Sequence, residues 1–176
     1  MPTVEQAEER PRLPGAGANA LFLGAAAIAV VLDQFTKAIA AGLIERGDQW
    51  PEGWAVRFVH VTNSGAAFGL LEGQTLFLIV TSLMAIVAIG FYCFFPPAEH
   101  NLVRIALGLL LGGAIGNLID RVAAGEVIDF IKFPNWPAFN VADSSITIGV
   151  TMLIIFSLFA ESPKPAQNDE QSRPDG

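Results

Sequence analysis

Residues 112–143 read GGAIGNLIDRVAAGEVIDFIKFPNWPAFNVAD. The segment sets three carboxylates, Asp120, Asp129 and Asp143, at or just beyond the ends of strongly hydrophobic stretches. An ionised carboxylate beside hydrocarbon is costly, so such groups are rare and usually functional. Upstream of Asp120 lies an apolar run from about Leu102 to Ile119, and Asp143 opens another from about Val141 to Ala160. Glu126 to Ile131 is rich in β-forming residues, and Phe133-Pro134-Asn135-Trp136-Pro137 is not helical throughout. The segment therefore reads as helix, short extended piece, turn, helix.

Two more apolar runs precede it, about Ala18 to Ile44 and about Thr75 to Phe95. Each of the four approaches or exceeds the roughly 20 residues needed to cross a bilayer. The first is too long for a cleaved leader and is interrupted by Asp33 and Lys37, so it reads as an uncleaved span. The third begins beside Arg104, whose long side chain is expected to reach the headgroups. The expected fold is an all-α membrane protein with four transmembrane helices, spanning about 18–44, 75–95, 102–121 and 141–160. A small β element is expected between the first two, where Trp54, Val56 and Phe58 alternate with Ala55, Arg57 and Val59 ahead of an Asn63-Ser64-Gly65 turn. Residues 1–17 and 161–176 are polar, contain proline, and are expected to be disordered tails flanking a single 18–160 domain.

Composition supports a membrane class. Of 176 residues 52% are hydrophobic and only 15% charged, whereas soluble domains carry about 25% charged residues. A net charge of -7 with scattered Lys and Arg leaves no basic stripe for nucleic acid. Cys93, the one cysteine, lies in an apolar run and is expected to be an inert packing thiol. His60 and His100 stand far apart without partners at zinc-ligand spacing, so no metal is expected.

An up-and-down order of four helices places both long connections, Glu45 to Gln74 and Arg121 to Asn140, on one side of the membrane. Asp33 and Lys37, Asn63, Asn117, Asp120 and Arg121, and Asn140 and Asp143 all fall toward that side. Polar groups gathered from four helices onto one face describe a site rather than scattered pairs. Basic residues on the tail side are Arg10, Arg12, Arg104, Lys164 and Arg173, against Arg46, Arg57, Arg121 and Lys132 on the loop side. The bias toward a cytoplasmic tail side has the right sign but is slight.

Asp129 and Asp143 are the candidate catalytic pair. Close carboxylates split their titrations and share one proton, the apparatus of an aspartic protease. Spacing alone also fits a helix cap at Asp143 and a loop carboxylate at Asp129. Asp33 and Lys37, spaced i, i+4, read as a pair on one helix face. Asp120-Arg121 reads equally as a local charge pair or as an arginine fork waiting for a carbonyl or phosphate. Asn63, Asn117 and Asn140 can orient carboxylates, and Gly65 beside Asn63 suggests close approach of a substrate chain. Glycines 112, 113 and 116 suggest close helix packing. No nucleophile elbow is present and no histidine is placed for a triad. A small cation-coupled transporter and a non-enzymatic assembly protein are the other classes. A transporter would place its charges at mid-membrane between repeated halves, and no repeat is found.

Five pieces in order, DQFTK (33–37), NSGAAFG (63–69), GGAIGNLIDR (112–121), VIDF (127–130) and FNVAD (139–143), resemble the lipoprotein signal peptidase (signal peptidase II) family over roughly Ala20 to Ala160. The resemblance implies a bacterial inner-membrane aspartyl endopeptidase that removes the signal peptide of a lipidated prolipoprotein just before its diacylglyceryl-cysteine. By motif position Asp129 and Asp143 match the catalytic aspartates. Asn63, Gly65, Asn117, Asp120, Arg121, Asn140, Asp33 and Lys37 match residues that shape the site. It further implies cytoplasmic termini, a site near the outer surface, no cofactor, lipids as partners, and the cyclic peptide globomycin as an inhibitor.

Overall fold

A computed structural model describes residues 16–65, 71, 73–94 and 100–159. The expected tails fall mostly outside these residues, as do Ala66–Gly69 of the second motif and the side chain of Cys93. The chain runs α1 (Ala16–Leu43), β1 (Gln49–Trp50), β2 (Arg57–Asn63), α2 (Thr75–Phe94), α3 (Asn101–Ala124), β3 (Val127–Lys132) and α4 (Val141–Phe159). All four helices are long and apolar enough to cross a membrane. The expected all-α membrane fold with a small β element is what is observed.

The third helix is the hub. Half of its apolar span is buried, against 6% for α2, and it packs on α1, α4 and α2. Its small residues explain the closeness. A Cβ on Gly112 would stand 2.6 Å from the Ala26 carbonyl oxygen of α1, and one on Gly113 would stand 2.5 Å from the Ala142 carbonyl oxygen of α4. Hydrocarbon solvent supplies no hydrophobic drive between helices, so backbone contact of this kind holds the bundle together. On α1 the buried positions Phe22, Ala26, Ala29, Asp33, Lys37 and Ala40 recur every three or four residues, one stripe of a helix. That stripe turns from apolar to charged as α1 reaches the loop side. Arg104 does not reach outward as expected and is buried, with 4% exposed.

Gly125 ends α3 in the left-handed region at φ 78°, its N–H bonding the Arg121 carbonyl, a backbone state that favours glycine. The chain can then reverse into β3. Antiparallel to β3 lies β2, with β1 on the outer side. The strand β2 differs from expectation in starting at Arg57, opposite Lys132, so Trp54–Val56 precede it. Asn63 closes β2, and its Oδ1 accepts the Gly65 N–H at 2.9 Å, forming the expected turn. After β3 the Phe-Pro-Asn-Trp-Pro loop folds back. Phe139 bonds Ile131 in both directions at 2.9 and 3.0 Å, and the Phe133 and Phe139 rings stack. This return sets Asn140, the residue before α4, against β3.

Candidate active site

Strand periodicity puts Asp129 and Phe130 on opposite sheet faces. Val127 and Asp129 face a cavity of about 680 Å³, while Phe130 lines a separate groove beside α1. Val61 lies opposite Asp129 in the register, and Asn63 is its diagonal neighbour on the same face. The Asn63 Nδ2 accordingly donates to Asp129 Oδ2 at 3.2 Å.

Asn140 joins the two acidic side chains. Its Nδ2 donates to Asp129 Oδ1 at 2.8 Å. Its Oδ1 accepts the Asp143 N–H at 2.9 Å, while Asp143 Oδ2 accepts the Asn140 N–H at 3.2 Å. The second pair is a reciprocal cap on α4. Asp143 is thus the helix cap that its spacing allowed. The two carboxyls line one cavity together with Asn63, Gly65, Asn117 and Arg121. That cavity runs on between α2 and α4 past Leu78, Ser82, Ile146 and Ile148.

Burial, and next the charge of Asp143, push the Asp129 carboxyl up from 3.8 to about 7, although the Asn63 and Asn140 hydrogen bonds and the Lys37 charge oppose this. A group poised near neutrality, coupled to a second carboxylate in a cleft, has the electrostatics expected of acid–base chemistry.

Behind the cavity lies a buried polar cluster. Lys37 Nζ reaches Asp33 Oδ2 at 2.7 Å, Asp120 Oδ2 at 2.8 Å and Asn117 Oδ1 at 3.1 Å. The expected Asp33–Lys37 pair is present, but it is one edge of a larger cluster. Asp33 Oδ1 also accepts the Ala142 N–H at 2.8 Å, tying α1 to the first turn of α4. Asp120 does not pair with its neighbour Arg121. Besides Lys37 it accepts the Ile128 N–H at 3.3 Å and so anchors β3 next to Asp129. Arg121 Nη2 donates to the Gly65 carbonyl at 3.2 Å, and its buried Nε has no hydrogen-bond partner among the described residues. The sequence reading missed Gln34, whose Nε2 donates to Asp33 Oδ2, to the Gly116 carbonyl and to Asp120 Oδ1 at 2.9–3.2 Å. Its position beside Asp33, one step off the buried stripe, was the available signal. Among the described residues no group of three His, Cys, Asp or Glu side chains is arranged to hold a metal.

The sequence profile of signal peptidase II, the Peptidase_A8 family, matches residues 25–159. The chain belongs to the signal peptidase II family. Relatives named lipoprotein signal peptidase include one from Symbiobacterium thermophilum, 40% identical over 144 residues covering 77% of this chain and 93% of that one. Another, from Acinetobacter baumannii, is 38% identical over 159 residues covering 86% and 90%. A bacterial membrane enzyme solved by the in meso method is 33% identical and superposes with a TM-score of 0.78, over 90% of this chain and 98% of that one. A second such structure gives 0.73 at the same identity. This signal peptidase II chain is thus a multi-pass membrane protein of a peptidase family, as its sequence implies.

Proposed function

We propose that the chain is an aspartyl endopeptidase that cleaves the signal peptide from lipidated prolipoproteins, immediately before the diacylglyceryl-cysteine. The observation that carries the reading is the Asn140 bridge. One asparagine hydrogen-bonds Asp129 and caps the helix that brings Asp143 to the same cavity. In such a pair one carboxylate takes a proton from water while the other, protonated, hydrogen-bonds the scissile carbonyl. Asn63, Asn117 and Asn140 orient the carboxyls, and Asp33, Lys37 and Asp120 brace them from behind. Gly65 and Arg121 stand at the wall where a peptide backbone would lie. The reaction asks for two carboxyls and one water, so we assign it no cofactor.

The cavity's apolar extension between α2 and α4 suits a substrate that arrives from the bilayer. Each acyl CH₂ buried contributes about 0.8 kcal/mol, so lipid binding can hold and orient the scissile bond and lower the entropic part of the barrier. Membrane lipids and the diacylglyceryl group are the partners we assign, and a cyclic peptide such as globomycin is an expected competitor for the same space. We place the protein in the bacterial inner membrane with cytoplasmic tails and the site near the outer surface. The basic residues near the tail ends and the family resemblance support that orientation.

Purified protein in detergent with acylated and non-acylated forms of one precursor tests the reading. The acylated form is expected to be cleaved before the modified cysteine and the other left intact. Equal cleavage of both, or of neither, would remove the lipid-directed peptidase from consideration.

A further inference from the structure

Lys37 has three N–H donors and no acceptor. All three are engaged, by Asp33 Oδ2, Asp120 Oδ2 and Asn117 Oδ1, and the residue is 2% exposed. Asn117 can therefore meet the ammonium only with its carbonyl oxygen. That oxygen also accepts Asn140 Nδ2 at 3.1 Å. The remaining, donor end of the amide is turned onto Asp143 Oδ1 at 2.8 Å.

The two carboxyls then differ in kind. Asp143 receives Asn117 on one oxygen and the Asn140 backbone N–H on the other. It also stands in the first turn of α4, where unpaired N–H groups and the helix dipole favour negative charge. Asp129 lies on a strand, which offers no such end, and among the described residues it receives only side-chain amides. The charged groups around Asp143 are Arg121 and Asp120 of α3, Asp129 of β3, and Asp33 and Lys37 of α1. From α2 the cavity is lined by Leu78 and Ser82.

We propose that Lys37 is a positioning residue for hydrolysis. By holding the Asn117 oxygen it fixes the direction of that amide, making Asp143 the proton acceptor of the pair and leaving the shared proton on Asp129. The proposal rests on the aspartyl reading above. Water adds to the scissile carbonyl carbon as its proton passes to Asp143 and the Asp129 proton passes to the carbonyl oxygen. The resulting diol breaks its C–N bond. The leaving amine takes the proton from Asp143, and one hydroxyl proton returns to Asp129.

The test is the pH profile of kcat and KM for the full-length protein with lipidated precursor. Lys37→Met/Asp33→Asn removes one charge of each sign, so the net charge beside the site is kept while the donor to Asn117 is lost. Asp33→Asn alone is the reference. Losing a hydrogen bond aimed at a charged group corresponds to about tenfold or more. The double variant is expected to show a kcat lower by about that factor, a KM within about twofold, and an acid limb moved upward by about one pH unit. Lys37→Arg retains a donor and is expected to keep the acid limb of the parent. A kcat lowered equally at every pH, with the limb unmoved, overturns the proposal. Should the Lys37 variants not insert, Asn117→Leu leaves the lysine with its acids and is expected to move the same limb, and an unmoved limb there overturns it too. Cleavage at full rate by Asp143→Asn would instead strike the aspartyl reading itself.

Discussion

Asn140 donates from its side chain to Asp129 over 2.8 Å and is itself completely buried. The bond links the middle of β3 to the residue that caps α4, so one amide ties the two acidic residues to each other. Asn140→Ala removes the donor to Asp129 and the cap on the Asp143 N–H together. Loss of the cap costs about 1 kcal/mol of stability. Cleavage is expected to fall by roughly a hundredfold or more, as for a disabled acid–base pair, with KM little changed. Single-turnover rates alongside thermal unfolding check it. A variant with near-normal turnover would show that the bridge is structural only.

The pH response follows from Asp129. Its carboxyl, ordinarily near 3.8, is raised to about 7 in the fold, chiefly by burial and then by Asp143. The proton needed for carbonyl activation is therefore held below about pH 7 and lost above it, so activity is expected to decline on the alkaline side around that value. The same proton is bound more tightly folded than unfolded, so this group's contribution to stability falls as pH rises from about 4 through about 7. Asp129→Asn should flatten that slope and raise the unfolding temperature above neutrality relative to the parent. Unfolding midpoints measured at acid and alkaline pH decide it.

Gly116 supplies a steric test. A Cβ there would meet Asp33 Oδ2 at 2.6 Å, whereas one on Gly24 of α1 meets nothing within 4 Å. Overpacking of a tight interface costs typically about 1–3 kcal/mol. Gly116→Ala is expected to displace Asp33, disturb Lys37 and lower cleavage about tenfold or more, while Gly24→Ala leaves cleavage unchanged; the tenfold figure corresponds to about 1.4 kcal/mol. Activity and unfolding of the two variants, compared directly, provide the check.

The helices were legible in the sequence because long charge-poor runs have few alternatives in a bilayer. The gathering of polar groups on one side followed from connection lengths. What the sequence left open was partner choice. Asp120 and Arg121 are adjacent and of opposite charge, yet adjacent helix positions do not face each other. Asp120 turns to Lys37 and β3, Arg121 to Gly65. The start of β2 was misplaced for a related reason. Alternation from Trp54 onward suggests a strand, but pairing begins only where Lys132 lies opposite Arg57. Gln34 was not legible because two of its three hydrogen bonds, to Gly116 and Asp120, reach across to α3, which sequence spacing does not encode.

The most direct measurement is cleavage of an acylated precursor by purified Asp129→Asn and Asp143→Asn, each shown to be inserted and folded. Both are expected to bind the precursor and leave it uncut, since neither can share a proton across the pair. Cleavage at the parent rate by either variant would contradict the account.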